Sequence, residues 1–307
     1  MKDPDCKVVF CDDQRMDLLT PFAKDMSLKL VLCGSQDQGR ADAAGAMLWE
    51  WVVKEGESQP KVNTSSITFK DDAMIMYTSG STGTPKGVVH SQRSLGTLLC
   101  MLEMANYMAP DAQNAKTIMN VPLFHITGVG MFLASFISGQ QLHMMKKWDA
   151  GRAIEIIAKH GITRFVGVPT MCRDMFEHPD FAEEKFKTIK TMGGGGQAMP
   201  PELMERIRKV SKGGQLQGYG LTETCGGVVV ARGDDTVKFP DSTGKAIPFL
   251  VEVCIKEPKT GKRLGPDQRG EICIKAATNM TRYHNKPDAT KEVMDNEGFF
   301  HSGDVGK

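Results

Sequence analysis

The stretch Tyr77–Ser91, YTSGSTGTPKGVVHS, decides the interpretation of the fold, because it is rich in glycine and hydroxyl side chains and contains one lysine, Lys86. The apolar run AMIMYT at 73–78 precedes it and predicts a buried strand, and SLGTLLCMLEMANYM at 94–108 has the apolar spacing of a helix. A strand, a glycine-rich turn and then a helix can direct backbone N–H groups at an anion. The flanks therefore favour an anion-binding loop over a flexible Gly/Ser/Thr linker, which is the alternative for this composition.

This loop differs from the phosphate loop of nucleotide hydrolases, G-x-x-x-x-G-K-[ST]. Counted from Gly80, Pro85 stands in place of the second glycine, and Gly87 stands in place of the final Ser or Thr. Proline has no N–H to donate to a phosphate, and glycine has no hydroxyl for a magnesium ion. A different way of binding phosphate is needed.

The remaining sequence indicates an α/β fold with parallel-sheet layers and covering helices. Short apolar runs alternate with amphipathic stretches from CKVVFC at 6–11 to QLQGYG at 215–220, and ADAAGAMLWEWVVKE at 41–55 is part of this alternation. After residue 228 the pattern changes, because VEVCIKEPKTGKRLGPDQRGEICIKA at 251–276 contains two alternating runs around a turn. We predict an α/β body over 1–228 and a smaller antiparallel β subdomain over 229–307.

Composition excludes several classes of partner. The formal net charge of +1 gives no general reason to expect nucleic acid or an acidic membrane surface. The eight cysteines form no C-x-x-C pair, which favours scattered reduced thiols over a disulfide framework or a zinc site. The charged start MKDPDCKVVFCDD does not resemble a signal peptide, and no apolar run reaches the length of a membrane span. We predict a cytoplasmic protein with no integral membrane segment, and nothing in the composition indicates an oligomeric state.

Four stretches resemble the core motifs of the adenylate-forming superfamily, which comprises acyl-CoA synthetases, luciferases and peptide-synthetase adenylation domains. In chain order they are YTSGSTGTPKG (77–87), VPLFHITG (121–128), GYGLTET (218–224) and GFFHSGD (298–304). The likeness continues in GGGGQAMPPEL at 193–203 and GEICIK at 270–275. One such motif would be weak, but four in the family's order are specific. The resemblance implies the large AMP-binding domain of that family.

The resemblance implies that the first loop binds the β- and γ-phosphates of ATP. Hydroxyls and the N–H groups of small residues can approach phosphate oxygens closely, and a lysine supplies a mobile positive charge. The residues that take this role are Thr78, Ser79, Gly80, Ser81, Thr82, Gly83, Thr84 and Lys86.

It also implies the rest of the nucleotide site. In the glycine-rich strand end Gly218–Gly220, Tyr219 is expected against the adenine, and Thr222 and Glu223 are expected at the α-phosphate and on Mg²⁺. Asp304 is expected on the ribose hydroxyls. Taken alone, Glu223 would be a cap or a surface charge. The residues expected at the adenine edge are Gly195, Gly196 and Gln197, although four consecutive glycines can also be only a tight turn.

His125 falls where the family often has an aromatic residue or histidine beside the reacting carboxylate, while an isolated histidine after a strand is more often structural. The expected acyl-binding residues are His125, Ile126, Gly128, Val168 and Gly226. The expected catalytic residues are Lys86, His125, Thr222 and Glu223.

The implied reaction joins a carboxylic acid to AMP and then to a thiol. A carboxylate attacks the α-phosphorus of Mg·ATP to give an acyl-adenylate and pyrophosphate, and CoA then takes the acyl group. The implied cofactors and co-substrates are therefore ATP, Mg²⁺ and CoA. The expected channel is apolar or small, which favours a fatty acid. An adenylation domain that loads a carrier protein and a non-catalytic ATP- or acyl-binding module are the alternatives.

Two departures from the family pattern bear on activity. The family's large domain ordinarily begins before the equivalent of Met1, and the family continues past the Gly-Asp motif into a hinge arginine and a mobile C-terminal domain that carries an adenylation lysine. Lys307 is too close to Asp304 to be that lysine. The expectation from the sequence is a large domain truncated at both ends, with most nucleotide contacts and little activity alone.

Overall fold

The computed structural model of the protein describes residues 5–79, 83–107, 115–212 and 214–307. Two compact units make up the chain, one ending at Thr68 and the other running from Phe69 to Lys307. The boundary predicted near residue 228 concerns a finer division inside the second unit and stays a prediction.

The strands of both units are short, and in chain order they are β1 (Val8–Cys11), β2 (Lys29–Leu32), β3 (Ala46–Leu48), β4 (Asp72–Thr78), β5 (Lys86–Ser91), β6 (Lys116–Met119), β7 (Gln141–Met144), β8 (Arg164–Gly167), β9 (Thr191–Gly195), β10 (Gln215–Leu221), β11 (Gly226–Arg232), β12 (Lys245–Ala246), β13 (Val251–Lys256), β14 (Gly270–Ala276), β15 (Arg282–Tyr283) and β16 (Phe300–Gly306).

The helices lie between these strands, with one short 3-10 helix at Glu183–Phe186. In chain order they are α1 (Asp13–Ala23), α2 (Gln38–Ala44), α3 (Trp49–Glu57), α4 (Gln92–Tyr107), α5 (Ile126–Ser138), α6 (Ala150–His160), α7 (Pro169–Glu177), α8 (Pro201–Val210), α9 (Asp235–Lys238) and α10 (Pro287–Val293).

The first unit is a three-stranded parallel sheet, β1-β2-β3, with α1, α2 and α3 between and after its strands. The side chain of Asp12 caps α1 by accepting a hydrogen bond from the N–H of Arg15. The stretch 41–55 contains the end of α2, all of β3 and most of α3. Gly45 ends α2 in the left-handed conformation at φ 63°, and β3 pairs with β2 before α3 begins. A glycine C-cap thus splits the segment.

The main sheet of the second unit has seven strands in the order β12-β11-β10-β9-β8-β6-β7. The five strands from β10 to β7 in this order run parallel to one another. β11 is antiparallel to both of its neighbours, β10 and β12. The carboxyl ends of β9 and β10 are therefore adjacent, and the turn from β10 to β11 leaves the same edge. Such an edge is where open α/β sheets bind ligands.

A core of apolar side chains joins one face of this sheet to α6, α7 and α8. Phe165 on β8, Ile157 on α6, Met175 on α7 and Ile207 on α8 are all fully buried in it. Burying a side chain of this size contributes about 1.5–3 kcal/mol. Because successive residues of a strand point to opposite faces, Arg164 and Val166 on either side of Phe165 face the other way, toward α4 and α5. This second face borders the candidate site.

Two three-stranded antiparallel sheets complete the second unit. The sheet β13-β14-β16 contains the predicted hairpin at 251–276, which is confirmed. The sheet β15-β5-β4 corrects the predicted layout of the glycine-rich loop. No helix follows the loop directly, because β5 returns along β4 before α4 begins at Gln92. Val88 and Val89 are fully buried and pair with β4 on one side and β15 on the other.

The predicted fold class is confirmed as α/β with parallel sheets, covering helices and small antiparallel sheets. The correction matters for the site. The described flanks of the glycine-rich loop, Thr78 and Lys86, are the paired ends of β4 and β5, so the loop connects two antiparallel strands and does not lead into a helix N-terminus.

Candidate active site

The hairpin formed by β4 and β5, which we call the phosphate hairpin after the role that the sequence predicts for its loop, places its two strand ends side by side. Thr78 pairs in register with Lys86 across the antiparallel ladder. Ser79, Gly83 and Thr84 are exposed at its tip, and Gly83 is left-handed at φ 77°. The predicted phosphate residues Gly80, Ser81 and Thr82 lie outside the described residues. The hairpin thus presents hydroxyls next to one lysine.

Lys86 lies beside a tyrosine from a distant segment. Its Nζ is 5.0 Å from the centroid of the Tyr283 ring, an arrangement that a cation–π interaction favours. The Tyr283 hydroxyl donates a hydrogen bond of 2.8 Å to Oε1 of Glu223. Burial, followed by the nearby Glu223 carboxylate, raises the pKa of Tyr283, so the phenol stays protonated and can donate. One tyrosine therefore connects the phosphate hairpin to the carboxylate predicted for Mg²⁺.

Sequence reasoning missed Tyr283, which lies on the two-residue strand β15. The backbone fixes its place, because β15 pairs with Val88 and Val89 of β5, and the N–H of His284 donates to the carbonyl of Gly87 at 2.7 Å. A two-residue strand has no periodicity to detect, so only the tertiary pairing identifies it.

The turn after β10 carries Thr222 and Glu223, and a threonine fixes it internally. The Thr224 hydroxyl accepts from the N–H of Leu221 at 2.9 Å and donates to the carbonyl of Gly226 at 2.8 Å. Thr224 is fully buried, so these hydrogen bonds are shielded from water. The N–H of Met280 also donates to the carbonyl of Glu223 at 2.7 Å. Glu223 thus projects from a braced turn.

A buried histidine also braces this turn, and sequence reasoning missed it as well. His90 on β5 is fully buried, and its Nε2 donates to the carbonyl of Thr222 at 2.8 Å. Burial lowers the pKa of His90, which favours the neutral ring with its proton on Nε2. Its Nδ1 has no hydrogen-bond partner among the residues that the structure describes. His90 therefore joins β5 of the phosphate hairpin to the Thr222–Glu223 turn through a buried hydrogen bond.

The residues predicted to bind the adenine and the ribose lie near the carboxyl ends of β9 and β10 and on β16. Gly195 at the end of β9 pairs with Gly218 of β10, and a Cβ on Gly195 would lie 2.5 Å from the Gly218 carbonyl oxygen. Strand packing alone therefore requires a glycine at position 195, independently of any role in binding adenine. Gly196 and Gln197 follow it and are exposed. Tyr219 is next on β10, and Gly220 follows it at a register shift between β10 and β11.

Tyr219 contacts the predicted ribose carboxylate directly. Its hydroxyl donates to Oδ2 of Asp304 at 2.7 Å. Burial raises the pKa of Tyr219, so it remains a donor at neutral pH. Asp304 itself is exposed on β16. The hydrogen bond joins the edge of the main sheet to the sheet β13-β14-β16.

A network of charged side chains, which we call the Lys256–His301 network, holds the strand that bears Asp304. His301 on β16 faces two carboxylates, with Nδ1 2.8 Å from Oε2 of Glu271 and Nε2 3.3 Å from Oδ2 of Asp295. The other Glu271 oxygen accepts from the N–H of Gly303 at 2.9 Å. Lys256 is almost fully buried, and its Nζ donates to Asp295 at 2.6 Å. Asp304 is the next residue after Gly303.

The charges within this network support one another. Burial alone would raise the pKa of Asp295. The Lys256 ammonium, the Phe299 N–H and His301 together outweigh burial and lower this pKa to about 2. Glu271, Cys273 and His301 also place one donor atom each within 4.8 Å of one another, which is a possible metal-ligand set. Both ring nitrogens already face carboxylates and Lys256 adds positive charge nearby, so we interpret the cluster as an ion-pair network.

The predicted acyl-binding residues separate into two groups. Ile126 and Gly226 line a cavity of about 130 Å³ beside the Thr222–Glu223 turn. Val168 is instead the N-cap of α7, with its side chain near Gly196. Gly128 packs against the carbonyl of Pro122, where a Cβ would lie 2.2 Å from the oxygen.

His125, predicted as both a catalytic and an acyl-binding residue, is exposed at the N-cap of α5. Its side chain makes no cap hydrogen bond, and its ring contacts Phe124 at 4.8 Å between centroids. A larger cleft of about 780 Å³, which includes Phe249 and Arg93, contains none of the predicted site residues. Within residues 5–79, 83–107, 115–212 and 214–307, no helix is long and apolar enough to cross a membrane.

The sequence profile described as "AMP-binding enzyme" matches residues 1–284. The chain belongs to the AMP-binding enzyme family. Family members similar to this chain include a luciferin 4-monooxygenase from Nipponoluciola cruciata, 33% identical over 238 residues, and 4-coumarate–CoA ligase 3 from Oryza sativa subsp. japonica, 32% identical over 243 residues. These alignments cover 76% and 77% of this chain but only 42% and 44% of the relatives' own lengths.

Among solved structures, this AMP-binding chain is similar to the inhibitor-bound N-terminal domain of FACL13 from Mycobacterium tuberculosis. The TM-score is 0.78 at 25% identity, and the match covers 98% of this chain and 77% of that one. The relatives include acyl- and aryl-CoA ligases, so the predicted family and its adenylate-forming fold are confirmed.

Proposed function

We propose that this chain forms the ATP- and acid-binding part of an acid–thiol ligase. The observation that carries the proposal is the meeting of Lys86, Tyr283 and Glu223, which come from three distant parts of the sequence. Lys86 lies over the ring whose hydroxyl binds Glu223, so a cation at the ring face and a carboxylate at the hydroxyl end contact one buried side chain. That is the charge arrangement that a triphosphate with a bound divalent cation requires.

The donor set fits Mg·ATP. Glu223 uses one carboxylate oxygen for Tyr283, which leaves the second oxygen, and the adjacent Thr222 hydroxyl, available for a hard cation and a phosphate. Mg²⁺ would neutralise charge on the phosphate oxygens. Tyr219 offers an aromatic face for the adenine, and Asp304 beside it offers a carboxylate for the ribose hydroxyls.

The reaction that suits this arrangement proceeds in two steps. A carboxylate oxygen of the acid bonds to the α-phosphorus of ATP, the bond from that phosphorus to pyrophosphate breaks, and an acyl-adenylate forms. The donors of the phosphate hairpin and Lys86 stabilise the negative charge on the phosphates. The thiol of CoA then bonds to the acyl carbon, loses its proton and releases AMP.

The acid is expected to have an apolar body, as the sequence predicts for a fatty acid. Leu98, Ile126 and Val166 supply apolar walls to the cavity beside the turn. An apolar wall contributes about 25 cal/mol for each Å² of substrate surface that it buries.

Calorimetric titration with Mg·ATP tests the proposal. The wild-type chain should bind, and Lys86→Ala should weaken binding by about 10- to 100-fold, because a charge-assisted hydrogen bond to phosphate is lost. Lys187→Ala is the matched control, since Lys187 is exposed and far from the phosphate hairpin in sequence. Equal affinities for the Lys86→Ala chain and the wild type would sink the proposal, provided that circular dichroism shows both folded.

A further inference from the structure

The Tyr283 hydroxyl engages one of the two oxygens of the Glu223 carboxylate. It donates to Oε1 at 2.8 Å, and Oε2 has no hydrogen-bond or ion-pair partner within residues 5–79, 83–107, 115–212 and 214–307. Oε2 is therefore the oxygen that remains for a cation. Oε1 would have to leave the Tyr283 hydroxyl before both oxygens could turn to the same ion.

Tyr283 is a donor that cannot move with the carboxylate. Its ring is buried in a cluster that includes Val88 and Phe300. Its backbone pairs with Val88 of β5, and its N–H donates to the Thr290 hydroxyl at 2.9 Å. A rotation of the Glu223 carboxylate that turned Oε1 away would therefore break the hydrogen bond, because the phenol could not follow.

The other end of the Glu223 side chain is fixed as well. The N–H of Met280 donates to the Glu223 carbonyl at 2.7 Å, and the buried Thr224 hydroxyl forms hydrogen bonds across the turn. With the backbone held at one end and Oε1 held at the other, the direction of Oε2 is set before any ligand binds. Hydrogen-bonded partners of this kind orient the carboxylates that bind metal ions.

Mg²⁺ and Ca²⁺ place different demands on a carboxylate. Mg²⁺ is small, requires near-octahedral geometry at about 2.0–2.1 Å and keeps several waters, so single carboxylate oxygens suit it. Ca²⁺ takes roughly 6–8 oxygens at about 2.3–2.6 Å and accepts both oxygens of one carboxylate. A carboxylate that offers one oriented oxygen therefore favours Mg²⁺, and one that is free to offer both is more favourable for Ca²⁺.

We propose that Tyr283 is a positioning residue that leaves Glu223 with one oxygen for a cation and thereby makes nucleotide binding prefer Mg²⁺ to Ca²⁺. This inference rests on the proposed function, because ATP must bring its cation to Glu223. It assigns to the hydroxyl of Tyr283 a role that is separate from the packing of its ring.

Substitution of Tyr283 by phenylalanine tests this role, because it removes only the hydroxyl. Tyr283→Phe keeps the ring that packs in the cluster with Val88 and faces Lys86. ATP is titrated into the whole chain by calorimetry, with Mg²⁺ and separately with Ca²⁺. The wild type should bind Mg·ATP about 10-fold more tightly than Ca·ATP, or better.

In the Tyr283→Phe chain, the affinity for Mg·ATP should fall by about 10-fold, the lower end of the range for loss of a partner that orients a metal ligand. The affinity for Ca·ATP should change by less than about 3-fold, because Glu223 can then turn both oxygens to the ion. The ratio of the two affinities should therefore approach one. A purely structural role for Tyr283 would lower both affinities by the same factor and leave the ratio unchanged.

Two controls show whether the effect acts through Glu223. Tyr219→Phe makes the same chemical change at the hydroxyl that binds Asp304, so it should change the affinities for Mg·ATP and Ca·ATP by one common factor. In a Glu223→Gln background, adding Tyr283→Phe should leave the ratio as it is, since the carboxylate that Tyr283 positions is already gone. Circular dichroism checks that each variant is folded.

The outcomes separate this inference from the proposed function. If the wild type binds Mg·ATP and Ca·ATP equally, the inference is overturned without any variant and the proposed function stands. The same holds if a folded Tyr283→Phe chain keeps the wild-type ratio, or if Tyr283→Phe changes the ratio as much in the Glu223→Gln background. If ATP binds with neither cation, both proposals are overturned.

Discussion

The two carboxylates of the candidate site, Glu223 and Asp304, are each bound by a tyrosine hydroxyl but are held in place by different chemistry. Glu223 projects from a turn braced by buried, uncharged groups: Tyr283, His90 and Thr224. Asp304 lies on β16, directly after Gly303. The N–H of Gly303 donates to Glu271, which belongs to the charged Lys256–His301 network.

This difference has consequences for how each carboxylate responds to a ligand. Tyr283 is 5% exposed and its hydroxyl has a fixed partner, so the Glu223 carboxylate is pre-positioned. Asp304 is exposed, and its hydrogen bond to Tyr219 lies at the edge of two sheets. A ribose hydroxyl could therefore replace Tyr219 as the donor to Asp304, because the carboxylate is accessible to solvent.

The difference also creates two separate pH windows. Near Asp304, the ion pair between Lys256 and Asp295 persists into strong acid, because the pKa of Asp295 is lowered to about 2. Around Glu223, the neutral His90 must be compared with an unfolded chain whose histidine gains a proton near pH 6.5. Acid should therefore weaken the two regions in sequence, the Glu223 side first.

The larger effect is expected from the Lys256–His301 network. The native pKa of Asp295 is about 2, below the unfolded value of about 3.9, so its contribution to stability is present above pH 4 and lost as pH falls toward 2. Asp295→Asn should lower the free energy of unfolding by about 2 kcal/mol at pH 7 and flatten its fall between pH 4 and 2. Urea unfolding at a series of pH values measures both.

Asp235→Asn is the control for that series, because Asp235 forms an exposed ion pair with Lys245. It should change stability by less than about 1 kcal/mol at every pH. If Asp295→Asn and the wild type lose stability in parallel from pH 4 to 2, the network is not what fixes the strand of Asp304.

The smaller effect is expected from His90→Gln. A glutamine amide can donate to the Thr222 carbonyl as the ring does but cannot gain a proton, so stability at pH 8 should fall by about 1 kcal/mol, the typical cost of a point substitution. Because the native pKa of His90 is lowered, the unfolded wild-type chain binds more protons and stability falls as pH drops below about 6.5. The variant should lose less stability than the wild type between pH 7 and 5, and a parallel loss would refute the neutral-histidine brace.

The site segments at 77–87 and 218–224 were predictable because they resemble family motifs that can be recognised in the linear sequence. Lys86, Glu223 and Tyr219 lie within such motifs, and the structure brings Lys86 and Glu223 to one tyrosine. The hairpin at 251–276 was predictable for a related reason, since its alternation and turn residues are local.

The missed features all depend on partners that are distant in the sequence. β5 pairs with β15, nearly two hundred residues away, and no strand was predicted between the glycine-rich loop and the helix that follows it. Tyr283 and His90 act through hydrogen bonds to Glu223 and Thr222 that no local pattern encodes.

A double-mutant cycle on Mg·ATP affinity tests the central claim most directly. Lys86→Ala, Glu223→Gln and the double variant are titrated alongside the wild type, with urea unfolding to confirm that each is folded. If both residues hold one Mg·ATP, the double variant should lose less affinity than the sum of the single losses, with a coupling of about 0.5–3 kcal/mol. Strictly additive losses, or wild-type affinity in both single variants, would contradict a shared nucleotide site at Lys86, Tyr283 and Glu223.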